Sequence, residues 1–470
     1  MQHSGHFFGM RRLSHLAMLA VPFALFLLSE SVAAAGATHH HYKLVDIGTL
    51  GGPLSFPSGP SAQVLNNQGT FVAYANTATA NPNPNCTLPF NANGGGGDCN
   101  VEHPVLWRDG ALTDLPLLPG GVNGQNGWIT ENGLVAGWSE NGLTDSAGLP
   151  VGRPVLWTKQ GKVIDLGALP GGIEGLATSV NSHAQAAGFS DNGVPDAYSM
   201  AGLTTQTRAF LWQHGNMEDL GTLGGPDAVA FYLNERGQIS GQSYTNSFAN
   251  PTTGIPTQHP FFWENGHMVD IGSFGGTVGV VNWMNSRGQV VGFLSLAGDQ
   301  LSHAYVWDKQ EGLRDLGLLP GGTSGNANWI NDAGEIVGWS DSLSGFHAVL
   351  WKHGVINDLG ALPGDCGSVA NAINLRGQIV GYGTLPTDCG NEVHGILFER
   401  GGTPVDLNTL VSPASTVTFV NAFIINDRGE IAGWGFLATG DPHALLLIPC
   451  DEDHPGIEGC DYSLVKAAKK

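Results

Sequence analysis

Charged side chains are scarce in this chain. They make up 13% of its 470 residues, and 19 lysines and arginines face 40 acidic residues. An average soluble domain carries about 25% charged residues. The formal net charge is −21, and no basic patch offsets it. The sequence therefore excludes DNA and RNA as expected partners, because their phosphates would be repelled.

Long apolar runs are missing as well, except near the N-terminus. Arg11 and Arg12 precede an apolar stretch, Leu16–Leu28, and small residues follow it up to Ala35. This order predicts a secretory signal peptide over residues 1–35. The alternative, a membrane anchor, would need about 20 uninterrupted apolar residues, more than this stretch supplies. No later apolar span appears and the tail SLVKAAKK does not resemble an anchor, so we expect a secreted protein.

Cysteine is rare, with six residues in the whole chain. Six cysteines allow fifteen pairings, so the sequence gives a preference and not a deduction. The preferred pairs are the local ones, and the spacings do not match those of zinc sites. We expect disulfides Cys86–Cys99, Cys366–Cys389 and Cys450–Cys460, in keeping with an oxidising compartment.

Catalytic and metal-binding motifs are also absent. The sequence has no Gly-x-Ser-x-Gly elbow, phosphate-binding loop, His-Glu-x-x-His helix or EF-hand. No cofactor is expected, and calcium has no motif to support it. Carboxylates in the loops remain candidates for a general acid–base pair, but their spacing does not show which of them meet. They are Asp145, Asp191, Asp196, Asp299, Asp341 and Asp388.

What the chain does contain is a repeat. An Asp-Leu-Gly phrase leads to a Gly-Gly turn, an apolar run ending in Asn, a Gly-x-Ile-Val-Gly-aromatic segment and a His-Ala-apolar-Leu-Trp segment. The copy from Asp315 to Trp351 is among the clearest. A repeat period of 20–50 residues indicates a solenoid or a propeller. Glycine, with 70 residues, recurs at fixed offsets beside apolar runs, which is typical of tight turns between strands.

Each repeat contains four short segments with strand character. In the sixth repeat they are Asn326–Asn331, Glu335–Ser340, His347–Trp351 and Val355–Leu359. The turn Asn331-Asp332-Ala333-Gly334 joins the first two, with glycine available for a positive φ. Four antiparallel strands of this kind form one propeller blade.

Counting the repeats predicts an all-β fold with eight blades. There are eight Asp-bearing strands and eight segments of the His-Ala type, but the chain begins with the former and ends with the latter. We therefore expect the N-terminal strand, Lys43–Gly48, to pair with His443–Ile448 and close the ring. One propeller domain would then span residues 36–448, followed by a tail over residues 449–470. An open solenoid is the alternative, but it would leave both ends uncapped.

Loop lengths divide the predicted blades into two faces. The hairpins after the first and third strands are short in nearly every copy, whereas the connection from the second to the third strand varies widely. In an up-and-down blade, these variable connections and the Gly-Gly connections emerge on one side, here called the variable-loop face. The short hairpins emerge on the other side, the hairpin face. Binding residues usually lie on variable loops, so any ligand is expected on the variable-loop face.

The phrases GEIVGWS, HAVLW and DLGTLGG closely resemble the bacterial extracellular HAF repeat family, named for its His-Ala-Phe motif. The motif reads His303-Ala-Tyr, His347-Ala-Val and His443-Ala-Leu here, while Arg153 and Arg208 replace its histidine. The resemblance spans residues 43–448. It implies an exported or surface-associated bacterial protein and supplies no catalytic residue. Members often carry a C-terminal sorting signal that is not seen here, which favours release.

The repeated polar residues have two interpretations. The His or Arg that opens each third strand could form a ring that binds metal or anions, or could make one fixed hydrogen bond within its own blade. Repetition in every blade favours the structural role. The recurring Asp is likewise expected to accept backbone N–H bonds in the turn that follows it, and not to ligate calcium.

Large aromatic residues recur after the second glycine of the Gly-x-Ile-Val-Gly segment. With Trp128, Trp283 and Trp329, they would either stack on sugars or fill the space between blades. The candidate ligand-binding residues are Tyr74, Trp138, Phe189, Trp339, Tyr382 and Trp434.

The sequence as a whole favours a secreted, monomeric binding or scaffold protein, with carbohydrate, another extracellular polymer or an extracellular protein as its partner. The alternative is an extracellular carbohydrate-active hydrolase or lyase that uses carboxylates of the variable-loop face. A purely structural envelope protein, without a sizeable pocket, is a third interpretation. An enzyme is the less favoured class.

Overall fold

Short strands separated by tight turns occupy most of the chain, as the repeat predicts. The computed structural model describes residues 41–83, 99–146, 148–385, 389, 393–399, 402–460 and 462. Within these ranges the chain has 32 strands, one 3-10 turn (Leu407–Leu410) and no α-helix. No helix in them is long and apolar enough to cross a membrane. The predicted signal peptide (1–35), Cys86 and Asp388 lie outside the described residues.

The strands form consecutive antiparallel groups of four, which we call units. Unit 1 has β2 (Gly51–Phe56), β3 (Phe71–Ala80), β4 (Asn100–Arg108) and β5 (Ala111–Asp114). Unit 2 has β6 (Gly124–Ile129), β7 (Val135–Thr144), β8 (Pro150–Trp157) and β9 (Val163–Asp165). Unit 3 has β10 (Gly175–Val180), β11 (Ala186–Pro195), β12 (Thr205–Gln213) and β13 (Asn216–Asp219). Unit 4 has β14 (Ala228–Leu233), β15 (Ile239–Ala249), β16 (Pro256–Glu264) and β17 (His267–Asp270).

The second half of the chain continues the pattern. Unit 5 has β18 (Gly275–Met284), β19 (Val290–Leu296), β20 (Ser302–Asp308) and β21 (Gly312–Asp315). Unit 6 has β22 (Gly325–Ile330), β23 (Ile336–Ser342), β24 (Gly345–Lys352) and β25 (Val355–Gly360). Unit 7 has β26 (Gly367–Ile373), β27 (Gln378–Thr384), β28 (Val393–Glu399) and β29 (Val405–Asp406). Unit 8 has β30 (Thr418–Ile425), β31 (Ile431–Phe436), β32 (Pro442–Pro449) and β1 (Tyr42–Asp46). The four strands predicted for the sixth repeat are confirmed, with ends that differ by at most two residues.

The N-terminal strand pairs with the last strand of the chain, as predicted. β1 runs antiparallel to β32, with Lys43 opposite Ile448 and Asp46 opposite Leu445. This pairing covers an edge that would otherwise expose a row of unpaired backbone groups. Units 4 and 5 belong to one eight-stranded sheet, but a single parallel bridge, between Gln258 and Val278, is what joins them.

The backbone geometry requires the repeated glycine before the aromatic position. In units 2 to 8 the first strand carries a β-bulge opposite this glycine. A Cβ atom at Gly338 would lie 1.9 Å from the carbonyl oxygen of Asn326. The other six glycines are equally constrained, at 1.9–2.1 Å from a carbonyl of the first strand: Gly137, Gly188, Gly241, Gly292, Gly381 and Gly433. A bulge inserts one extra residue in the first strand, and only glycine tolerates that close approach.

The core lies between successive units. The residue that ends the His-Ala segment is buried in seven of the eight copies: Trp107, Trp157, Trp263, Trp307, Trp351, Phe398 and Leu447. Trp212 is half-buried instead, so the expectation that all of these residues belong to the core is wrong for this copy. A four-stranded sheet has two apolar faces that a single repeat cannot bury alone. Contact with neighbouring units buries them.

Two of the three expected disulfides are confirmed. Cys366 and Cys389 are bonded with their Cα atoms 5.4 Å apart, and Cys450 and Cys460 with theirs 5.3 Å apart. The first bond ties the connection between units 6 and 7 to the variable loop of unit 7. The second folds the tail back on itself beyond β32. Because Cys86 lies outside the described residues, its bond to Cys99 stays a prediction.

Candidate binding site

The polar residue that opens each third strand is tied to its own unit. Every such His or Arg contacts the carboxylate of the fourth strand, with N–O distances of 2.7–3.3 Å. The eight pairs are His103–Asp114, Arg153–Asp165, Arg208–Asp219, His259–Asp270, His303–Asp315, His347–Asp358, His394–Asp406 and His443–Asp46. The structural role expected for these residues is therefore confirmed.

The aspartates of these pairs also hold the turn that follows. Asp46 Oδ1 accepts the backbone N–H of Gly48 at 2.8 Å. The same bond, at 2.7–2.8 Å, recurs at Asp165, Asp219, Asp270, Asp315, Asp358 and Asp406. It is missing at Asp114, where the residue two positions on is Pro116 and has no N–H to give. Among the described residues, no group of three or more His, Cys, Asp or Glu side chains could hold a metal ion.

The six aromatic candidates fall into two groups. Tyr74, Trp138 and Phe189 are buried, with 7%, 4% and 5% of their surface exposed. Tyr74 packs on Phe56 with ring centroids 6.2 Å apart. For these three residues the packing interpretation holds and the ligand-binding expectation is wrong, because their rings are enclosed and present no face to a ligand.

Trp339, Tyr382 and Trp434 are half-buried and line one cavity of about 690 Å³. They occupy the same position in the second strand of units 6, 7 and 8, near the end of that strand at the variable-loop face. Strand register places each beside a residue of the first strand: Trp339 opposite Asn326, Tyr382 opposite Val369 and Trp434 opposite Asn421. We call this space the aromatic–amide cavity.

Amides line the cavity between the aromatic rings. Asn328 and Asn371 are the extra residues of the β-bulges in units 6 and 7, and the bulge turns both toward the cavity. Asn328 Nδ2 donates to the carbonyl of Ala370 at 2.9 Å. Asn371 Nδ2 donates to the carbonyl of Ala422 at 2.8 Å and to Asn421 Oδ1 at 2.9 Å. Bulges commonly re-aim side chains near binding sites.

Half of the hydrogen-bonding capacity of these amides remains available. Asn326 and Asn421 each accept a bond through Oδ1, and Asn328 and Asn371 donate through Nδ2. In the described part of the chain, the Nδ2 groups of Asn326 and Asn421 and the Oδ1 atoms of Asn328 and Asn371 have no protein partner. The cavity thus offers two donors and two acceptors between three aromatic rings.

The remaining wall of the cavity comes from unit 1, from a segment that departs from the repeat. After β2, the segment Pro57–Ser61 takes the place of a regular inner strand and reaches the middle of the assembly. The Ser58 hydroxyl donates to the carbonyl of Asn126, and the hydroxyl of Tyr232, three units away, donates to the carbonyl of Ser61 at 3.3 Å. Leu54, Phe56, Pro57 and Pro60 from this stretch line the aromatic–amide cavity.

The sequence itself contains a signal for this departure. Thirteen residues separate the Gly51-Gly52 turn from Asn66, against eight in the sixth repeat. In addition, Ala73 stands where the other units have the glycine that faces a bulged strand. Ala73 is tolerated because no continuous first strand passes opposite it; β2 pairs with β3 only up to Phe56 and Tyr74.

A second cavity, of about 320 Å³, lies on the hairpin face. Its walls are hairpins between first and second strands, and it contains Trp128, Tyr232, Trp283 and Trp329. Trp283 stacks on Trp329 with ring centroids 3.5 Å apart. Three tryptophans proposed from sequence as sugar platforms therefore pack on one another or on Tyr232 at this end of the molecule.

A ladder of asparagines surrounds this second cavity and was not singled out from the sequence. The Asn that ends a first strand donates through Nδ2 to the carbonyl of the equivalent residue in the next unit. Seven such bonds, at 2.9–3.3 Å, start at Asn66, Asn181, Asn234, Asn285, Asn331, Asn374 and Asn426. The last of them reaches Asn66 in unit 1. In unit 2, where Thr130 replaces the Asn, Asn132 Nδ2 bonds to the carbonyl of Ser182 instead.

Four carboxylates of this hairpin face accept backbone N–H groups from a neighbouring unit. Glu131 accepts the N–H of Asn67 at 3.1 Å, and Glu235 accepts that of Ser182 at 3.0 Å. Asp332 and Asp427 each accept an N–H at 2.9 Å, from Ser286 and Leu375 respectively. Burial together with the nearby Asp427 raises the pKa of Glu131, against the hydrogen bonds from Asn67. These carboxylates join neighbouring units.

Five of the six carboxylates proposed as candidates for a catalytic pair are described, and none of these five lines the aromatic–amide cavity. Asp191 accepts the N–H groups of Ile173 and Glu174 at 2.6 and 2.8 Å, and Asp341 holds the equivalent turn of unit 6. Burial raises the pKa of Asp341, but the bonds from Thr323 and Ser324 outweigh it and lower the pKa overall. Asp299 similarly binds the N–H of Thr277 at 2.6 Å.

One close carboxylate pair exists elsewhere on the variable-loop face. Asp227 faces Asp196, and burial, followed by the nearby Asp196 charge, raises the pKa of Asp227 to about 7 despite bonds from Met200 and Thr207. Asp227 is fully buried, with 0% of its surface exposed. A substrate would have no access to it. Among the described residues, the geometry that the enzymatic alternative requires is not present in the aromatic–amide cavity.

No protein-family model and no curated protein matches this sequence. Among solved structures, the β-propeller domain of the Trilobed protease from Pyrococcus furiosus is similar at 10% identity and a TM-score of 0.41, over 78% of this chain and 95% of that one. An acylaminoacyl peptidase in complex with Z-Gly-Gly-Phe-chloromethyl ketone aligns at 10% identity and 0.39, over 84% of this chain. The acylaminoacyl peptidase of Pyrococcus horikoshii aligns at 10% identity and 0.38, over 81%.

The chain spans less than two thirds of the two peptidases, 58% and 59% of their lengths. Likeness at these TM-scores carries no information about what this chain does.

Proposed function

We propose that this chain is an exported eight-bladed β-propeller of the HAF repeat type, and that it acts as a non-catalytic module binding carbohydrate in the aromatic–amide cavity. The eight-blade arrangement is supported by three features. Each repeat supplies four antiparallel strands, β1 completes unit 8, and the asparagine ladder returns from Asn426 to Asn66 at 2.9 Å. The single bridge between units 4 and 5 is then a contact between two blades.

Export is supported by the sequence order of residues 1–35 and by the two disulfides, which persist in oxidising compartments. The same bonds suit an extracellular scaffold that must resist unfolding.

The observation that carries the binding role is the lining of the cavity. Trp339, Tyr382 and Trp434 stand around unused amide groups in a space of about 690 Å³, within the range of small-ligand sites. A sugar ring has an apolar face that packs on aromatic rings and hydroxyl groups that both donate and accept hydrogen bonds. The apolar face of the sugar matches the aromatic rings of the cavity, and its hydroxyl groups match the amides. A sizeable pocket also favours binding over the purely structural interpretation.

The test uses the mature protein, residues 36–470, on a glycan array, followed by titration calorimetry with the oligosaccharide that is retained best. Trp434→Ala removes an aromatic wall, and we expect affinity to fall at least about tenfold, which corresponds to about 1.4 kcal/mol. Phe248→Ala is the matched control, because Phe248 is an aromatic residue of the variable-loop face that is 80% exposed and lies outside the cavity.

The control should bind within about twofold of the wild type. Circular dichroism must show that both variants are folded, since Trp434 also packs on Phe56 with ring centroids 5.4 Å apart. Equal affinity in the wild type and a folded Trp434→Ala variant would contradict the proposed site.

A further inference from the structure

Among the described residues, no charged side chain lines the aromatic–amide cavity. Its lining consists of aromatic and aliphatic residues, prolines, one serine and the four asparagines. Its one ionisable group is the phenol of Tyr382, whose pKa burial raises above the ordinary value of about 10. From this lining, and resting on the proposed function, we infer that the ligand is an uncharged saccharide and that uronate or sulfated glycans are rejected.

Desolvation gives the first reason. A carboxylate or sulfate that enters a half-enclosed space loses hydration, and that loss is large unless a cation or several donors replace the water. The free donors here are two amide groups, on Asn326 and Asn421, and amides are neutral. A hydroxyl group loses less hydration on entry and is satisfied by exactly this mixture of amide donors and acceptors.

The distribution of cations over the two faces gives the second reason. In the described residues, no Lys or Arg lies in a connection between second and third strands or in a connection between units. Ten lie in the short hairpins of the opposite face or within three residues of them: Arg108, Lys159, Lys162, Arg236, Arg287, Lys309, Arg314, Lys352, Arg376 and Arg428. The cations are therefore concentrated on the hairpin face.

Arg153 and Arg208 are the two cations nearest to the variable loops, and both are paired. Arg153 Nε lies 3.3 Å from Asp165, and Arg208 Nε lies 3.0 Å from Asp219. Neither is available to a polyanion without breaking the pair that every unit contains. Among the described residues, the variable-loop face therefore has no unpaired guanidinium group to offer a carboxylated or sulfated sugar.

Acidic groups on the same face add repulsion. Asp441 lies in the connection between β31 and β32 and immediately precedes Pro442, which lines the cavity. Such charges act over a Debye length of about 8 Å at physiological salt, so a polyanionic chain would be repelled before it reached the cavity. Uncharged polymers experience no such penalty.

The experiment compares three matched oligosaccharide series of equal length with the mature protein: neutral glucans or xylans, uronate oligomers and amino-sugar oligomers. Affinities are measured by calorimetry at 150 and 500 mM NaCl. We expect the neutral series to bind and the uronate series to bind at least tenfold more weakly. High salt should recover only part of the difference, because desolvation is not screened.

Two variants test the cause. Phe436→Lys places a cation at the rim of the cavity, where Phe436 is 41% exposed, and should raise uronate affinity at least fivefold. Phe436→Leu is the uncharged control and should leave the neutral-to-uronate ratio unchanged. Preference of the wild type for either charged series would overturn this inference and leave carbohydrate binding in place. Failure of the folded protein to bind any series would instead overturn the proposed function.

Discussion

The two ends of this molecule use similar side chains in opposite ways. On the hairpin face, the ladder asparagine occurs in seven of the eight units and a carboxylate in every second unit, and each is engaged by a neighbouring unit: Asn331 donates to the carbonyl of Asn374, and Asp332 accepts the N–H of Ser286. On the variable-loop face, Asn328 and Asn371 occur in two adjacent units and retain unused polar atoms. The comparison shows that repeated polar residues hold the structure together, whereas the irregular ones are available for a ligand.

Bulges explain how the irregular positions arise. The extra residue of the bulge is not constant along the chain: it is Gly127, Thr178 and Phe231 in units 2 to 4, asparagine in units 5 to 7 (Asn282, Asn328, Asn371) and Phe423 in unit 8. The glycine opposite the bulge is constant, because the backbone requires it. Units 2 to 8 thus each contain a glycine fixed by geometry in the second strand and, opposite it in the first strand, a position free to vary; the free positions of units 6 to 8 line the cavity.

The largest effect is expected from removing the strand that joins the two chain ends. A variant that begins at residue 49 lacks β1 and the His443–Asp46 pair. We expect its thermal midpoint to fall by more than about 10 °C, since β32 loses its partner. A synthetic peptide of residues 41–48 added in trans should restore part of the loss. An unchanged midpoint would show that the pairing of β1 does not contribute to stability.

The next effect separates the two kinds of asparagine. Asn331→Ala removes the ladder bond and the Oδ1 atom that accepts the N–H groups of Ala333 and Glu335, so stability should fall by about 2 kcal/mol. Asn328→Ala removes one bond of a half-buried residue, and we expect a loss under about 1 kcal/mol. Saccharide affinity should respond the other way, falling about tenfold for Asn328→Ala and little for Asn331→Ala. Urea unfolding and calorimetry measure the two quantities.

The smallest expected effect is on the pH dependence of stability, and it distinguishes unit 7 from unit 6. His394 Nδ1 lies 3.3 Å from Asp406 and its Nε2 lies 2.9 Å from Asp365, whereas His347 faces Asp358 alone. The bonds from Asp406 and then Asp365 raise the pKa of His394 above its ordinary value, against the effect of burial. Its stabilising contribution is therefore complete below about pH 6.5 and is lost as pH rises through the folded-state pKa.

Urea midpoints at pH 6 and pH 9 test this expectation. His394→Gln should weaken the fall in midpoint at high pH, while His347→Gln, the matched control, should retain it. If both variants show the wild-type slope, the second carboxylate around His394 has no effect on stability.

The strand pattern was accessible from the sequence because the repeat displays the same local constraints many times. Recurring positions account for the four-stranded units, the register of β1 against β32, the His–Asp pairs and the turns capped by aspartate. The site was less accessible. Tyr74 and Trp434 occupy equivalent positions, yet one ring is enclosed and the other faces a cavity, because Pro57–Ser61 breaks the symmetry at unit 1. In the sequence, this break in symmetry is indicated by the extra length between Gly52 and Asn66 and by Ala73 in place of glycine.

Hydrogen–deuterium exchange with and without the best-binding oligosaccharide tests the assignment of the two ends most directly. Ligand should protect backbone amides of Leu54–Ser61, Val369–Asn371, Gly381–Tyr382, Asn421–Phe423 and Trp434–Phe436 and leave the hairpins around Glu131, Asp332 and Asp427 unchanged. Protection of those hairpins, with none around Trp434, would contradict the account and place recognition on the hairpin face.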